Sequence, residues 1–492
     1  MVIASEWWNS IDWWYTISTL FLIANIVLAF FVLFIERKKP SSKWAWVMVL
    51  LFLPFLGMLL YLLFGQPYRK NKKRHESDAS ISNLQDLTDR QLAEVDAGSF
   101  VYSSVVAEDW QHLVRMNLRS ETTPFSQNNR LQIFNDGKRK FEALFNDIEA
   151  AKIHVHLEYY IINNDDIGNR LLKLLTKKAE EGIQVLVLYD DIGSKSLPRN
   201  FFNAFERAGG RTAASLPSKL PFGNPRVNYR NHRKIAVIDG KVGYNGGFNV
   251  GDEYLGEVEK FGYWRDTHLR IEGDAVHSLQ HWFIKDWNET SKKYPLKQEK
   301  HYFPPLKNEK GAGMQVVVSG PDEEIDQIKN GYLRMISQAR KSVYIQTPYL
   351  IPDLGVLDAL LTAALSGIDV RIMIPDKPDH IFVYSASLSF ARELARSGVK
   401  IYAYNNGFLH AKTVVVDGKV ASIGSANMDV RSFTLNYEAN VFVYDEETAE
   451  DMVRLFLNDS KLSQELTSEY FEQLSLFKRF RLQVAQLVAP IL

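Results

Sequence analysis

The chain has 492 residues, with 58 basic and 58 acidic side chains and no cysteine. That length is too great for one small domain and suits two or three units. The balanced charge lacks the basic footprint of a nucleic-acid binder. The missing cysteines exclude a disulfide framework, thiolate metal sites and a cysteine nucleophile.

From Tyr15 to Ile35 the chain is almost wholly apolar, with Asn25 the one strongly polar interruption, and its length fits a spanning helix. A basic loop with Arg37, Lys38, Lys39 and Lys43 leads into a second apolar run, Trp44 to Phe64. Pro54 lies inside that run, which a membrane helix tolerates better than a soluble one. Trp7, Trp8, Trp13, Trp14, Trp44 and Trp46 cluster near the expected ends, as interfacial aromatics do. The expectation is a two-helix membrane hairpin in residues 1–65, with spans at about 15–35 and 44–64. Basic residues also follow the second run (Arg69, Lys70, Lys72, Lys73 and Arg74), so the positive-inside rule leaves the orientation open. Residues 66–130 read as a linker, with Leu84, Leu87 and Leu92 at helical spacing.

Two similar halves follow, at 131–305 and 306–492. In the first, "KIHVHLEYYII" alternates like a strand, "GNRLLKLLTKKAEEG" has helical spacing, and "IQVLVLYDD" reads as a buried strand. The second repeats the plan with "KSVYIQTPYLI", "GVLDALLTAALSG" and "IDVRIMIPD". This order predicts an α/β fold of two duplicated domains, with mixed, mainly parallel sheets flanked by helices.

Each half carries one copy of a polar motif. "HRKIAVIDGKVGYNGGFN" contains His232, Lys234, Asp239, Gly246, Gly247 and Asn249. "HAKTVVVDGKVASIGSAN" contains His410, Lys412, Asp417, Gly424, Ser425 and Asn427. Residues two apart on a strand share a face, so His232 projects with Lys234 and His410 with Lys412. An imidazole beside an ammonium suits a phosphate ester: lysine supplies charge, and histidine serves as nucleophile or proton carrier. The Gly-rich steps admit close backbone approach, and the asparagines can donate to phosphoryl oxygens. Asp239-Gly240 and Asp417-Gly418 read as tight hairpin turns. Asp239 lies about 16 Å beyond Lys234 along an extended strand, which favours a turn role over direct participation. The carboxylates that orient the imidazoles are then sought elsewhere, and Asp266 in "YWRDTH" and Glu438 in "NYEAN" are the candidates.

The doubled H-x-K-x(4)-D motif, each copy followed by a Gly-rich step and Asn, resembles the signature of the phospholipase D superfamily. With the apolar front segment, the chain looks like the bacterial cardiolipin synthases of that superfamily. The resemblance implies a catalytic set of His232, Lys234, Asp239, His410, Lys412 and Asp417. It implies phosphoryl contacts from Asn249, Asn427, Gly247 and Ser425. It also implies transfer of a phosphatidyl group between two phosphatidylglycerol molecules through a phosphohistidine, in the bacterial cell membrane. Two lysines would supply the charge that metals supply elsewhere, so no metal or cofactor is expected, and no nucleic-acid partner. Synthase and hydrolase share the motifs and differ in whether an alcohol or water resolves the intermediate. The closing stretch, "FEQLSLFKRFRLQVAQLVAPIL", suits either an amphipathic helix on a membrane surface or a last core helix.

Overall fold

The computed structural model describes residues 3–34, 40–61, 81–120, 122–216, 228–297, 299–306, 310–323, 325–377 and 379–489. The basic residues Arg37–Lys39 and Arg69–Arg74 lie outside the described residues, as do the side chains of Trp7, Trp8 and Trp14. The chain divides into an N-terminal unit and a large second unit beginning near residue 72.

In the N-terminal unit, α1 (Ile3–Phe34) is long and apolar enough over Tyr15–Phe34 to cross a membrane. Asn25 donates its side-chain N–H to the Phe21 carbonyl at 2.9 Å, which pairs that donor within the helix. The second apolar run departs from the expected single span. It is divided into α2 (Pro40–Phe52) and α3 (Pro54–Leu60). Pro54 crowds the residue before it out of the helical region, and Leu53 takes φ −127°, ψ 64°. Neither piece is long enough to span alone, so α1 is the one candidate span among the described residues. The two runs nevertheless pack antiparallel: the Phe21 and Phe55 rings meet at a tilt 4.7 Å apart, and the Lys43 ammonium donates to the Leu33 carbonyl at the C-terminal end of α1.

In the second unit, the expected linker packs into the core from α4 (Ile81–Asp96) onward. Gln91 donates to the Phe125 carbonyl and accepts from its N–H, and Trp110, Leu113 and Val114 are buried among Val317, Tyr332 and Met335. The first half supplies β1 (Ser126–Phe134), β2 (His154–Tyr159), β3 (Gln184–Asp190), β4 (Arg211–Ser215), β5 (Ile235–Ile238), β6 (Val242–Gly246) and β7 (His268–Glu272). The second supplies β8 (Ala312–Ser319), β9 (Ser342–Gln346), β10 (Asp369–Pro375), β11 (Lys400–Tyr404), β12 (Thr413–Val416), β13 (Val420–Gly424), β14 (Asn436–Tyr444) and β15 (Ser463–Glu465).

All of these strands join one sheet, in the order β15-β11-β10-β9-β12-β13-β14-β8-β1-β7-β6-β5-β2-β3-β4. Read outward from the β8–β1 junction, both arms present their strands in the same sequence of roles. The sheet is mixed, but it is not mainly parallel. Along this path, parallel pairing occurs only within β2–β3–β4 and β9–β10–β11. The helices α5 (Asp166–Glu180) and α6 (Leu354–Leu365) carry the first parallel crossover of each arm. The motif strands pair antiparallel because each Asp-Gly step folds them into a hairpin, β5–β6 and β12–β13. Asp239, Gly240, Asp417 and Gly418 all take positive φ, as a type I′ turn requires. One apolar cluster runs beneath the junction and joins the halves, with Ile235, Val237 and Leu269 from one side and Val415, Ala421 and Val441 from the other.

Candidate active site

Two short parallel bridges cross between the halves and build the site. Arg230–Asn231 pairs with Asn436–Tyr437 at the start of β14, and Phe408–Leu409 pairs with Trp264–Arg265. Each bridge ends at a motif histidine. The His232 backbone N–H donates to the Tyr437 carbonyl at 2.9 Å, and that of His410 to the Arg265 carbonyl at 2.7 Å. The residue after each bridged pair, Asn436–Tyr437 or Trp264–Arg265, is a buried carboxylate, Glu438 or Asp266. His232 Nδ1 lies 2.9 and 3.0 Å from the two Glu438 oxygens, and His410 Nδ1 lies 2.6 Å from Asp266 Oδ2. Each imidazole is therefore oriented by a carboxylate of the opposite half. With Nδ1–H donated to that carboxylate, Nε2 carries the lone pair. Tyr160 meets His232 edge to face at 4.9 Å, and the Trp264 ring lies 5.1 Å from that of His410.

Burial and neighbouring charge set the protonation states. Burial pulls His232 down to about 4: Glu438 opposes the shift and the Lys234 ammonium reinforces it. His410 falls to about 4 through burial and Lys412, against the pull of Asp266. Burial works to raise both carboxylates. For Asp266, Lys412 and His410 outweigh it, and for Glu438, His232 and Lys234 do, so each lies below its usual value. Lys412 is drawn down to about 8 by burial, and Lys234 well below its usual value for the same reason. Each ammonium is steadied by its own motif: Lys234 donates to the His232 carbonyl at 2.6 Å, and Lys412 to that of His410. Near neutrality the centre thus holds two carboxylates, two neutral imidazoles and two lysines.

Other motif residues have different work from that expected of them. Asp239 accepts from the backbone N–H groups of Lys152, Ile153 and His154 at 2.7–2.9 Å. Asp417 does the same for Arg340, Lys341 and Ser342. They tie the hairpin turn to the start of the neighbouring strand and are not catalytic groups, because both carboxylate oxygens are spent on backbone. Asp239→Ala is expected to cost about 3 kcal/mol, through three lost charge-assisted bonds and a residue poorly suited to positive φ. Thermal unfolding should show a midpoint several degrees lower, with Asp239→Asn in between.

Gly247 and Ser425, expected to touch substrate, stand behind the orienting carboxylates instead. A Cβ on Gly247 would fall 1.9 Å from Asp266 Oδ1, so only glycine leaves room for that carboxylate. At the matching position Ser425 Oγ donates to Glu438 Oε2 at 2.5 Å. Asn249 and Asn427 do reach the reaction cavity, held by donation to Tyr254 and Asp429.

The sequence reading passed over two buried arginines. Arg233, a spacer inside the first motif, donates to the backbone carbonyl of Glu438 and pairs with Asp286. Arg265 donates to the backbone carbonyl of Asp266 and pairs with Asp459. Each fixes the strand that delivers an orienting carboxylate. The cue in sequence was slight: an arginine inside or beside each polar motif. Arg230 and Arg431 line the cavity itself, which has a volume of about 550 Å³ and is walled by both histidines and both asparagines.

A family model described as "Cardiolipin synthase, PLD-like domain" matches residues 332–460, and one described as phospholipase D-nuclease N-terminal matches residues 23–66. The chain is 48% identical over 474 residues to the major cardiolipin synthase ClsA of Bacillus subtilis strain 168, covering 96% of this chain and 98% of that protein. It is 46% identical over 471 residues to a cardiolipin synthase of Listeria innocua, with the same coverage of 96% and 98%. Among solved structures, phosphatidylserine synthase from Haemophilus influenzae Rd KW20 shares the fold, with a TM-score of 0.58 at 17% identity, covering 77% of this chain and 100% of that one. The chain belongs to the cardiolipin synthase family of phospholipase D-like proteins.

Proposed function

We propose that this centre joins two phosphatidylglycerol molecules into cardiolipin and glycerol through a phosphohistidine. The observation that carries the reading is the crossed pair of imidazoles, each backed by a buried carboxylate and sharing one cavity. His232 Nε2 attacks phosphorus, and the bond to the glycerol oxygen breaks. His410 delivers the proton that this glycerol needs. In the next step His410 takes the proton of the acceptor's glycerol hydroxyl, the new P–O bond forms, and the P–N bond breaks. Neutral His410 takes up a proton from solvent at Nε2 once substrate arrives, because the anionic phosphodiester and the Asp266 carboxylate together favour the imidazolium. Lys234 and Lys412, with Asn249 and Asn427, hold the phosphoryl oxygens as charge develops. Arg230 and Arg431 add positive potential for lipid phosphate.

The two halves, 131–305 and 306–492, are duplicated phospholipase D-like domains in this reading, supported by the matching order of strands in the two arms. Residues 1–65 form a two-span anchor in the bacterial cell membrane, supported by the antiparallel packing of α1 on α2 and α3. That anchor and the balanced charge favour a membrane lipid over a nucleic acid as substrate.

The test supplies phosphatidylglycerol alone to reconstituted protein and follows lipids and glycerol by mass spectrometry. Cardiolipin and glycerol should rise together. Phosphatidic acid without cardiolipin would replace transfer by hydrolysis. In the same assay kcat/KM should fall on both sides of neutrality. On the acid side it is lost as pH drops through about 4 and His232 protonates. On the basic side it declines as His410 takes up its proton less readily, and more steeply as pH rises through about 8 and Lys412 gives up its charge.

A further inference from the structure

The last helix, α7 (Leu476–Val488), carries two apolar faces. Leu482 and Ala485 point inward and are fully buried in the core of the second half. Leu476, Phe477, Phe480 and Leu487 are 83%, 74%, 64% and 79% exposed. At 100° per residue these four, with Val484, fall on one arc opposite the buried pair. Core packing explains the first face only. A helix that needed nothing but to close the core would be polar on the second.

The chemistry and place of this face select its occupant. The helix contains Lys478, Arg479 and Arg481 and no acidic residue. It packs against the helix Ile381–Arg396, where Ser389 Oγ donates to Gln486. The start of that helix also presents apolar groups to solvent, with Ile381 70% exposed and Phe382 partly so. The adjoining His380 and Val383 line the reaction cavity, as does Ala489 just past the end of α7. Exposed Phe and Leu among cations, at the edge of a cavity built for phosphate esters, match the interfacial face of a membrane-surface helix.

We infer that the exposed face of α7, with Ile381 and Phe382, docks on an anionic lipid bilayer and sets the cavity mouth at the headgroup level. The phenylalanines enter the acyl boundary, and Arg481, on the flank of the same arc, meets the lipid phosphates. A phospholipid then reaches the histidines by a short rise of its headgroup, without leaving the bilayer. The inference rests on the reading of the substrate as a membrane phospholipid.

The absence of native cysteine makes a direct test simple. Full-length Phe480→Cys, Leu487→Cys and, as a control on an exposed polar surface, Lys461→Cys carry a nitroxide in nanodiscs of phosphatidylcholine with phosphatidylglycerol. Labels at 480 and 487 should be more accessible to oxygen than to a water-soluble nickel chelate, and the label at 461 the reverse. Labels at 480 and 487 that behave like 461, or that broaden through contact with a second copy of the chain, would overturn the docking. As a second readout, Phe477→Ser/Phe480→Ser should lower cardiolipin formation about tenfold on vesicles, while leaving it within about twofold on detergent-dispersed phosphatidylglycerol. Equal loss in both would mean a structural role. A wild-type protein that turns over no phosphatidylglycerol would defeat the proposed reaction, and the labelling result would still decide the docking.

Discussion

Replacing His232 with alanine is expected to lower cardiolipin formation about 10⁴-fold or more, because the P–N bond of the proposed two-step reaction can no longer form. His410→Ala is expected to cost a similar factor in turnover, but at a different point. His232 remains able to attack, and what fails is proton delivery to the departing glycerol and proton removal from the acceptor. The two variants separate with phosphatidylglycerol labelled at phosphorus and a quench in alkaline detergent, which preserves the acid-labile P–N bond. His410→Ala should retain label on the protein, and His232→Ala should retain none. The opposite pattern would exchange the two roles while keeping the centre.

The second large effect lies in the crossed carboxylates. Glu438→Gln should reduce turnover by about 10²–10⁴-fold, since an amide neither holds the imidazole in the required tautomer nor stabilises its positive charge. Although Glu438 belongs to the second half, its loss should resemble loss of His232, with slow labelling of the protein. Asp266→Asn, in the first half, should resemble loss of His410, with label that forms and then lingers. Double variants sharpen the assignment. Glu438→Gln added to His232→Ala should cost little further, because the carboxylate acts through an imidazole that is already gone. Additive losses within that pair would refute the orienting role. The same cycle applies to Asp266 and His410.

These effects are large because the orienting carboxylates are buried. Asp266 and Glu438 are fully buried, and burial works to raise both; each is held below its usual value because an imidazole and a lysine face it. Removing a carboxylate or a lysine leaves an uncompensated charge, and removing an imidazole takes away a carboxylate's hydrogen-bond donor, so the centre responds as a unit. Gly247 belongs to that unit without offering any functional group, since its missing side chain is the space that Asp266 occupies.

The sequence by itself determined the chemistry and the local shapes. His232, Lys234, His410 and Lys412 were legible because a five-residue spacing occurs twice, and the Asp-Gly turns because their backbone demands are met by very few dipeptides. Asp266 and Glu438 were legible as candidates because both are carboxylates on strands downstream of the motifs. The parallel segments followed from strand–helix–strand order.

Tertiary structure decided which partners meet. Nothing local in "YWRDTH" says that Asp266 serves His410 and not the nearer His232. That choice is made by two-residue parallel bridges between segments far apart in the chain, too short to leave a periodic trace. The same holds for Arg233 and Arg265, whose partners Asp286 and Asp459 lie on distant helices. The mainly parallel sheet failed as an expectation because hairpin returns and the β8–β1 junction add antiparallel pairs that a strand's own pattern does not announce. The connector expected before the first half became core because an amphipathic helix reads alike whether its apolar stripe is covered by neighbours or left loose. Periodicity reports which face is apolar; only the assembled fold supplies what covers it.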